Sequence, residues 1–144
     1  MDRVERAVSC FKEGFTCSQA MLSTYGPQLG LNHELALKVS GAFGGGMARM
    51  GETCGAVTGA FMVIGLKHGK VKAEDDEAKE KTYEIVREFV KRFKSLHGSI
   101  MCKDLLGYDL DIPEEREQVE EKQICETRCP EFVKNAVEIL EKLL

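Results

Sequence analysis

Apolar and polar positions alternate along this chain with the period of an α-helix over most of its length. In the last fifteen residues, for example, apolar side chains recur every three or four positions and so fall on one helical face. No stretch of β-branched residues alternates with polar ones as a half-buried strand would. The sequence therefore predicts an all-α protein, a single compact domain spanning residues 1–144 with about six or seven helices.

Capping residues and glycines predict where these helices begin and end. Thr16 and Gln19 match a capping box, in which two side chains satisfy the free backbone N–H groups of a helix start. Pro130 suits the first turn of a helix, which makes Cys129 the predicted N-cap of the last one. Pro113 can open another short helix. The predicted segments cover about 3–12, 16–25, 32–40, 53–68, 75–96, 99–106, 113–121 and 129–144.

Composition narrows the range of partners and compartments. The formal net charge is −4, 31% of residues are charged, and no basic stripe stands out, so a nucleic-acid partner is not expected. The charged N-terminus does not resemble a signal peptide, and no apolar run is long enough to span a bilayer. We therefore expect a cytoplasmic protein with no membrane partner. In that reducing compartment, clustered cysteines more often bind metal or perform redox chemistry than form structural disulfides.

Four of the six cysteines fall at predicted helix starts, and they are spread along the whole chain. They are Cys17, Cys54, Cys102 and Cys129. A helix N-terminus carries partial positive charge and spare N–H donors, so it stabilises a thiolate and lowers the thiol pKa. Buried cysteines that are independent of one another have no reason to prefer helix starts. The repeated placement therefore predicts a site where several thiolates converge, either to hold a metal or to cycle between thiol and disulfide.

Three further residues are weighed for this site. Cys125 lies four residues before Cys129 and can replace or supplement it as a ligand, whereas Cys10 is interpreted as a spare thiol. His97 precedes Cys102 by five residues and is a further candidate ligand, although a helix C-terminus alone accounts for a histidine there. No C-x-x-C is present, which argues against a thioredoxin-type motif and a zinc ribbon.

Glycines surround Cys54. Gly51, Gly55 and Gly59 are four residues apart, so we expect them to line one face where a cofactor or another helix approaches the backbone. The pattern GxxxxGK[ST] is missing, and a nucleotide site is therefore not favoured. The glycine-rich stretch 41–47 beside Cys54 leaves room for a small ligand, which keeps an enzyme with its own substrate open.

These cysteines resemble those of a family of small redox-active proteins labelled C_GCAxxG_C_C. The central motif reads Cys54-Gly55-Ala56-Val57-Thr58-Gly59, with the first two residues of the label's Gly-Cys-Ala exchanged. Cys17 and the residues 18–20 match the first cysteine of the label, and Cys102 and Cys129 match the last two. The resemblance covers nearly the whole chain. It implies a redox or metal site, and an association with oxidoreductase or transporter genes, without specifying a reaction.

Three hypotheses follow for the four cysteines. In the first, Cys17, Cys54, Cys102 and Cys129 ligate an iron–sulfur cluster for electron transfer or redox sensing. In the second, they are redox thiols that pair as disulfides without any cluster. In the third, they hold a structural zinc ion with no redox role. The first two describe an accessory to a partner oxidoreductase more than a stand-alone enzyme, and a homodimer is compatible with the sequence.

Overall fold

The protein is built from eight α-helices and contains no β-strand, in a computed structural model that describes all 144 residues. The helices are α1 (Arg3–Lys12), α2 (Cys17–Tyr25), α3 (His33–Ser40), α4 (Gly55–His68), α5 (Asp76–His97), α6 (Cys102–Leu106), α7 (Pro113–Glu121) and α8 (Ile124–Leu143). The predicted all-α fold is confirmed, whereas the predicted number of six or seven helices is wrong. Both short segments between α5 and α8 fold as complete helices. A helix as short as α6 is not stable alone, so the burial of Leu105 and Leu106 in the core maintains it.

Side-chain caps account for the accuracy of most predicted boundaries. The Thr16 hydroxyl accepts the Gln19 N–H, and the Gln19 side chain accepts the Thr16 N–H, so the predicted capping box is present. Asn32 caps α3 by accepting the Leu35 N–H at 2.9 Å. Each cap satisfies a backbone donor that the helix itself leaves free, and this depends only on nearby residues.

The start of α8 differs from the prediction. The helix begins at Ile124, so Cys129 lies in its second turn and Pro130 lies inside the helix. A proline there removes one backbone hydrogen bond, which normally disfavours the helix. The apolar face from Cys129 to Leu140 is buried, and this packing outweighs the local preference of Pro130 for a helix start.

One hydrophobic core of 26 buried residues joins the helices. Helix α2 lies at its centre and packs against α1, α3, α4 and α8, most extensively against α4. Gly55 and Gly59 face α2, and their missing side chains allow the two backbones to approach closely. None of the helices combines the length with the apolar character needed to cross a membrane.

The connection between α3 and α4 contains a left-handed turn. Residues 45–49 all have φ between 55° and 69°, and three of them, Met47, Ala48 and Arg49, are not glycine. After this turn, Thr53 forms an isolated antiparallel bridge with Met101, just before α6. The bridge brings the starts of α4 and α6 side by side, and both carry a cysteine.

Candidate functional site

Five of the six cysteines line one cavity of about 890 Å³. They come from four helices that are distant in sequence, and they are Cys17, Cys54, Cys102, Cys125 and Cys129. The cavity falls within the size range of small-molecule and cofactor sites in proteins. The structure therefore brings together the four cysteines singled out by the sequence and adds a fifth.

The antiparallel bridge positions two of these cysteines. The Cys54 N–H donates to the Ile100 carbonyl at 2.8 Å, and the Cys102 N–H donates to the Glu52 carbonyl at 2.6 Å. Gly46 packs against Cys102 so closely that a Cβ at position 46 would lie 2.6 Å from the Cys102 Cβ. Only glycine fits at this position, which also has a φ of 68°. Cys54 and Cys102 are therefore held by backbone contacts.

Helix geometry positions Cys125 and Cys129. They lie four residues apart on α8, so their side chains share one helical face. Cys17 lies in the first turn of α2, which packs against α8, and Cys17 and Cys129 each shift the pKa of the other. Cys129 is thus the central thiol of a group of three, with a neighbour on its own helix and another on α2.

Burial raises the pKa of Cys54 to about 12. The N–H groups of Ala56 and Val57, at the start of α4, lower it, as a helix N-terminus should, but desolvation outweighs them. Burial also raises the pKa of Cys102 to about 12, aided by the charges of Cys125 and Asp109. The prediction that helix starts lower these thiol pKa values is wrong, because the thiols lie in a desolvated cluster.

The other three thiols also have a raised pKa. Interaction with Cys129 lowers the pKa of Cys17, but burial and the neighbouring thiols together raise it above the usual range. The pKa of Cys125 is raised, most strongly by its interaction with Cys129 and next by burial. The positive charge of Arg49 lowers this pKa, but by less. The pKa of Cys129 is lowered by its interaction with Cys125. Its interaction with Cys17 and its burial raise this pKa by more, so the pKa lies above the usual range. All five thiols are therefore protonated at neutral pH.

Other predicted residues lie elsewhere. Cys10 is on α1 with its Sγ 3.6 Å from the Ser23 hydroxyl, and it does not line the cavity. The His97 ring bonds the Asn135 side chain at 2.9 Å and packs between Phe93 and Phe132, outside the cavity lining.

Of the three glycines around Cys54, only Gly55 lines the cavity. Gly51 lies in the loop before the bridge, where a Cβ would lie 2.6 Å from the Asp109 Oδ1 atom, and Gly59 packs on α2. They do not form the single face expected from their spacing, because α4 begins only at Gly55. Their role as cofactor-binding residues stays a prediction.

Two residues that line the cavity, Cys125 and Arg49, are not among the four cysteines predicted from helix starts. The signal for Cys125 is its four-residue spacing from Cys129, which becomes one helical face once α8 begins before both. Arg49 lines the cavity from the left-handed turn, and no periodic pattern marks that position.

Whether the residues that line the cavity bind a metal ion or a cluster stays a prediction. No three side chains of the His, Cys, Asp and Glu types are placed to hold one metal ion. A single structural zinc ion takes four ligands at about 2.0–2.3 Å, and its binding to these cysteines stays a prediction. An iron–sulfur cluster spreads its thiolate ligands around several metal atoms, and at least four thiols around a cavity of this volume fit that donor chemistry.

The fold and cavity define a small helical protein with a cluster of thiols around one cavity. The model of the family described as "Putative redox-active protein (C_GCAxxG_C_C)" matches residues 15–143. The chain belongs to this family, as its cysteine pattern indicated. No curated protein and no solved structure matches the chain.

Proposed function

We propose that this protein is a thiol-based redox protein in which Cys17 and Cys129 alternate between two thiols and one disulfide. The observation that carries this proposal is that both thiols line the same cavity from two helices, α2 and α8, that pack against each other. The redox character of the family supports the same chemistry. In this proposal the electrons pass to or from a partner oxidoreductase.

Helix geometry favours Cys17 over Cys125 as the partner of Cys129. Side chains four residues apart on a helix have Cβ atoms about 5–6 Å apart. A disulfide needs Cβ atoms about 3.5–4.5 Å apart. A Cys125–Cys129 disulfide would therefore require α8 to unwind locally, whereas Cys17 and Cys129 lie on separate helices, so no helical spacing holds them apart. Cys125 remains as a neighbouring thiol available for exchange.

Oxidation of the pair breaks two S–H bonds and forms one S–S bond. Two electrons and two protons leave, and a disulfide of the partner accepts them to become two thiols. Because the pKa of each thiol is raised, ionisation does not stabilise the reduced form at neutral pH. The pair is therefore expected to be a reductant, in contrast to oxidants whose reduced form is a stabilised thiolate.

Mild oxidation followed by peptide mapping tests this proposal. The fully reduced protein is treated anaerobically with a small disulfide, the remaining thiols are alkylated, and cross-linked peptides are identified by mass spectrometry. We expect a Cys17–Cys129 cross-link that a reductant reverses, both in the native chain and in Cys10→Ser. Absence of this cross-link from both samples would refute the assignment. So would a cross-link that includes Cys10 in the native chain and is lost in Cys10→Ser.

An iron–sulfur cluster is the second candidate function. It is favoured by the presence of thiols from four helices around one cavity. Cys17, Cys54, Cys102 and Cys129 would hold the cluster, with Cys125 as a fifth thiol, and the cluster would supply one-electron transfer. Visible absorption with iron and sulfide analysis of anaerobically purified protein tests it. A brown protein containing both elements supports this candidate, and a colourless protein that forms the Cys17–Cys129 disulfide supports the first.

A further inference from the structure

The cysteine-lined cavity also carries charged groups that have no ion-pair partner. Lys12, Arg49, Arg116, Glu120 and Glu126 all line it. The ion pairs of the protein lie elsewhere and include none of these five residues. Three cations and two carboxylates give the lining a net charge of +1, although the whole chain carries −4. The lining of the cavity thus carries one more positive than negative charge, and its cations have no ion-pair partner.

Arg49 reaches this cavity from a costly backbone conformation. Met47, Ala48 and Arg49 have φ values of 64°, 55° and 65°, in the left-handed region. For residues other than glycine this conformation is unfavourable, because it brings the Cβ atom too close to the following carbonyl oxygen. Strain of this kind is concentrated at sites where the geometry serves a function. The turn thus maintains Arg49 in a position that a relaxed loop would not give.

Contact with Gly45 directs the Arg49 side chain. A Cβ at position 45 would lie 2.8 Å from the Arg49 Cγ and 3.5 Å from the Leu110 Cδ1, so the arginine stem occupies the space a side chain would take. The Arg49 charge also acts on Cys125, which places the guanidinium within electrostatic reach of the thiol group. Apolar walls from Leu110, Val119 and Phe132 complete the cavity.

We propose that this cavity binds a small organic disulfide that carries a carboxylate, and that the Arg49 guanidinium recognises the carboxylate. The inference rests on the proposed thiol redox function and names its substrate class. An apolar body packs against the cavity walls, and the carboxylate meets the arginine at the rim, which is a favourable charge-assisted contact.

The redox step for such a ligand balances without another reactant. One protein thiol, after losing its proton, attacks a sulfur of the ligand, forming a mixed disulfide and releasing one ligand thiolate that takes up the proton. The second protein thiol attacks the protein sulfur of the mixed disulfide, which forms the Cys17–Cys129 bond and releases the second ligand thiol. The protein is oxidised by two electrons, and the ligand disulfide is reduced to two thiols.

Binding can be measured separately from redox chemistry by using a ligand that cannot exchange with thiols. Thiodibenzoate is a diaryl thioether with two carboxylates, and its diamide is a neutral match. Calorimetric titration of the reduced full-length protein with each probe gives the two affinities. We expect Arg49→Gln to weaken thiodibenzoate binding about two- to fivefold, as for an exposed charge pair, and to leave diamide binding unchanged. Arg87→Gln, an exposed change outside the cavity, should alter neither.

The outcomes separate this inference from the proposed function. The inference is overturned if thiodibenzoate does not bind, or if Arg49→Gln and Arg87→Gln affect it equally. It is also overturned if Arg49→Gln weakens the diamide as much as the dicarboxylate, since the arginine would then act through cavity shape. If thiodibenzoate binds as expected but no Cys17–Cys129 disulfide forms, the carboxylate site is supported and the thiol redox function fails.

Discussion

Gly59 on α4 lies directly against Met21 on α2, and a Cβ at position 59 would be only 2.6 Å from the Met21 Cβ. The same Cβ would lie 3.1 Å from the Ser18 carbonyl oxygen. The two helices therefore touch almost backbone to backbone. This contact sets the spacing between the start of α2, which carries Cys17, and the start of α4, which follows Cys54.

Gly59→Ala should destabilise the protein because the new methyl group has no space. We expect the free energy of unfolding to fall by about 1–3 kcal/mol, the usual cost of overpacking a core. Gly65→Ala on the same helix is the matched control, since its Cβ would meet nothing within 4 Å. That change should stabilise the protein by roughly 0.5–1 kcal/mol, because alanine is the better helix former. Urea denaturation compares them, and an equal effect of both would disprove the close contact.

The free energy of unfolding should fall at alkaline pH because of the buried thiols. The folded-state pKa of Cys54 is about 12 against an ordinary value of 9.0, so the folded protein retains a proton that the unfolded chain releases. The stability that the protonated Cys54 thiol contributes to the folded state is complete below pH 9.0. It is lost as the pH rises toward 12, at about 1.4 kcal/mol per pH unit. Denaturation under reducing conditions should give a shallower decline for Cys54→Ser than for the native chain. Identical slopes would show that Cys54 is not desolvated.

The reduction potential should depend on pH well into the alkaline range. Cys17 and Cys129 both have a pKa above the ordinary 9.0, so two protons accompany two electrons at neutral pH and beyond. The midpoint potential should fall by about 59 mV per pH unit through pH 9. Redox titration against a dithiol buffer at several pH values measures this slope. A slope that flattens below pH 9 would mean that one thiol is already ionised.

Serine substitutions should separate the cavity cysteines from Cys10. Cys129→Ser and Cys17→Ser should each abolish the reversible disulfide, because each removes one of its two sulfur atoms. Cys10→Ser should leave it intact, since Cys10 contacts Ser23 on α2 and lies away from the cavity. Non-reducing mass analysis after mild oxidation gives the result. Full reversible oxidation in Cys129→Ser would shift the assignment to another pair.

Cys54→Ser should also damage the site more than Cys10→Ser. Cys54 is buried, is bonded through its backbone to Ile100, and lies beside Cys102 at the cavity wall. A hydroxyl there should change the oxidation rate or the metal content of the protein, whereas the same change at Cys10 should not. Equal behaviour of the two variants in both measurements would exclude Cys54 from the site.

Local signals in the sequence were sufficient to predict most of the helices and where they begin. Thr16 and Asn32 cap their helices through residues within three positions, so their effect can be read without knowing the rest of the structure. The same signals failed at Pro130, where the buried face of α8 extends the helix past the residue that should have opened it. The predicted count of six or seven helices was too low because both short segments, 99–106 and 113–121, fold as complete helices.

By itself the sequence determined the helical period, the caps and the position of Cys17, Cys54 and Cys102 at or next to helix starts. Only the tertiary structure decided that Cys125 joins them, that Arg49 reaches the same cavity, and that the thiols are protonated. Caps and periodicity depend on neighbours a few residues away. Desolvation depends on groups that are distant in sequence, and in this protein its effect on the thiols exceeds that of the helix N-termini.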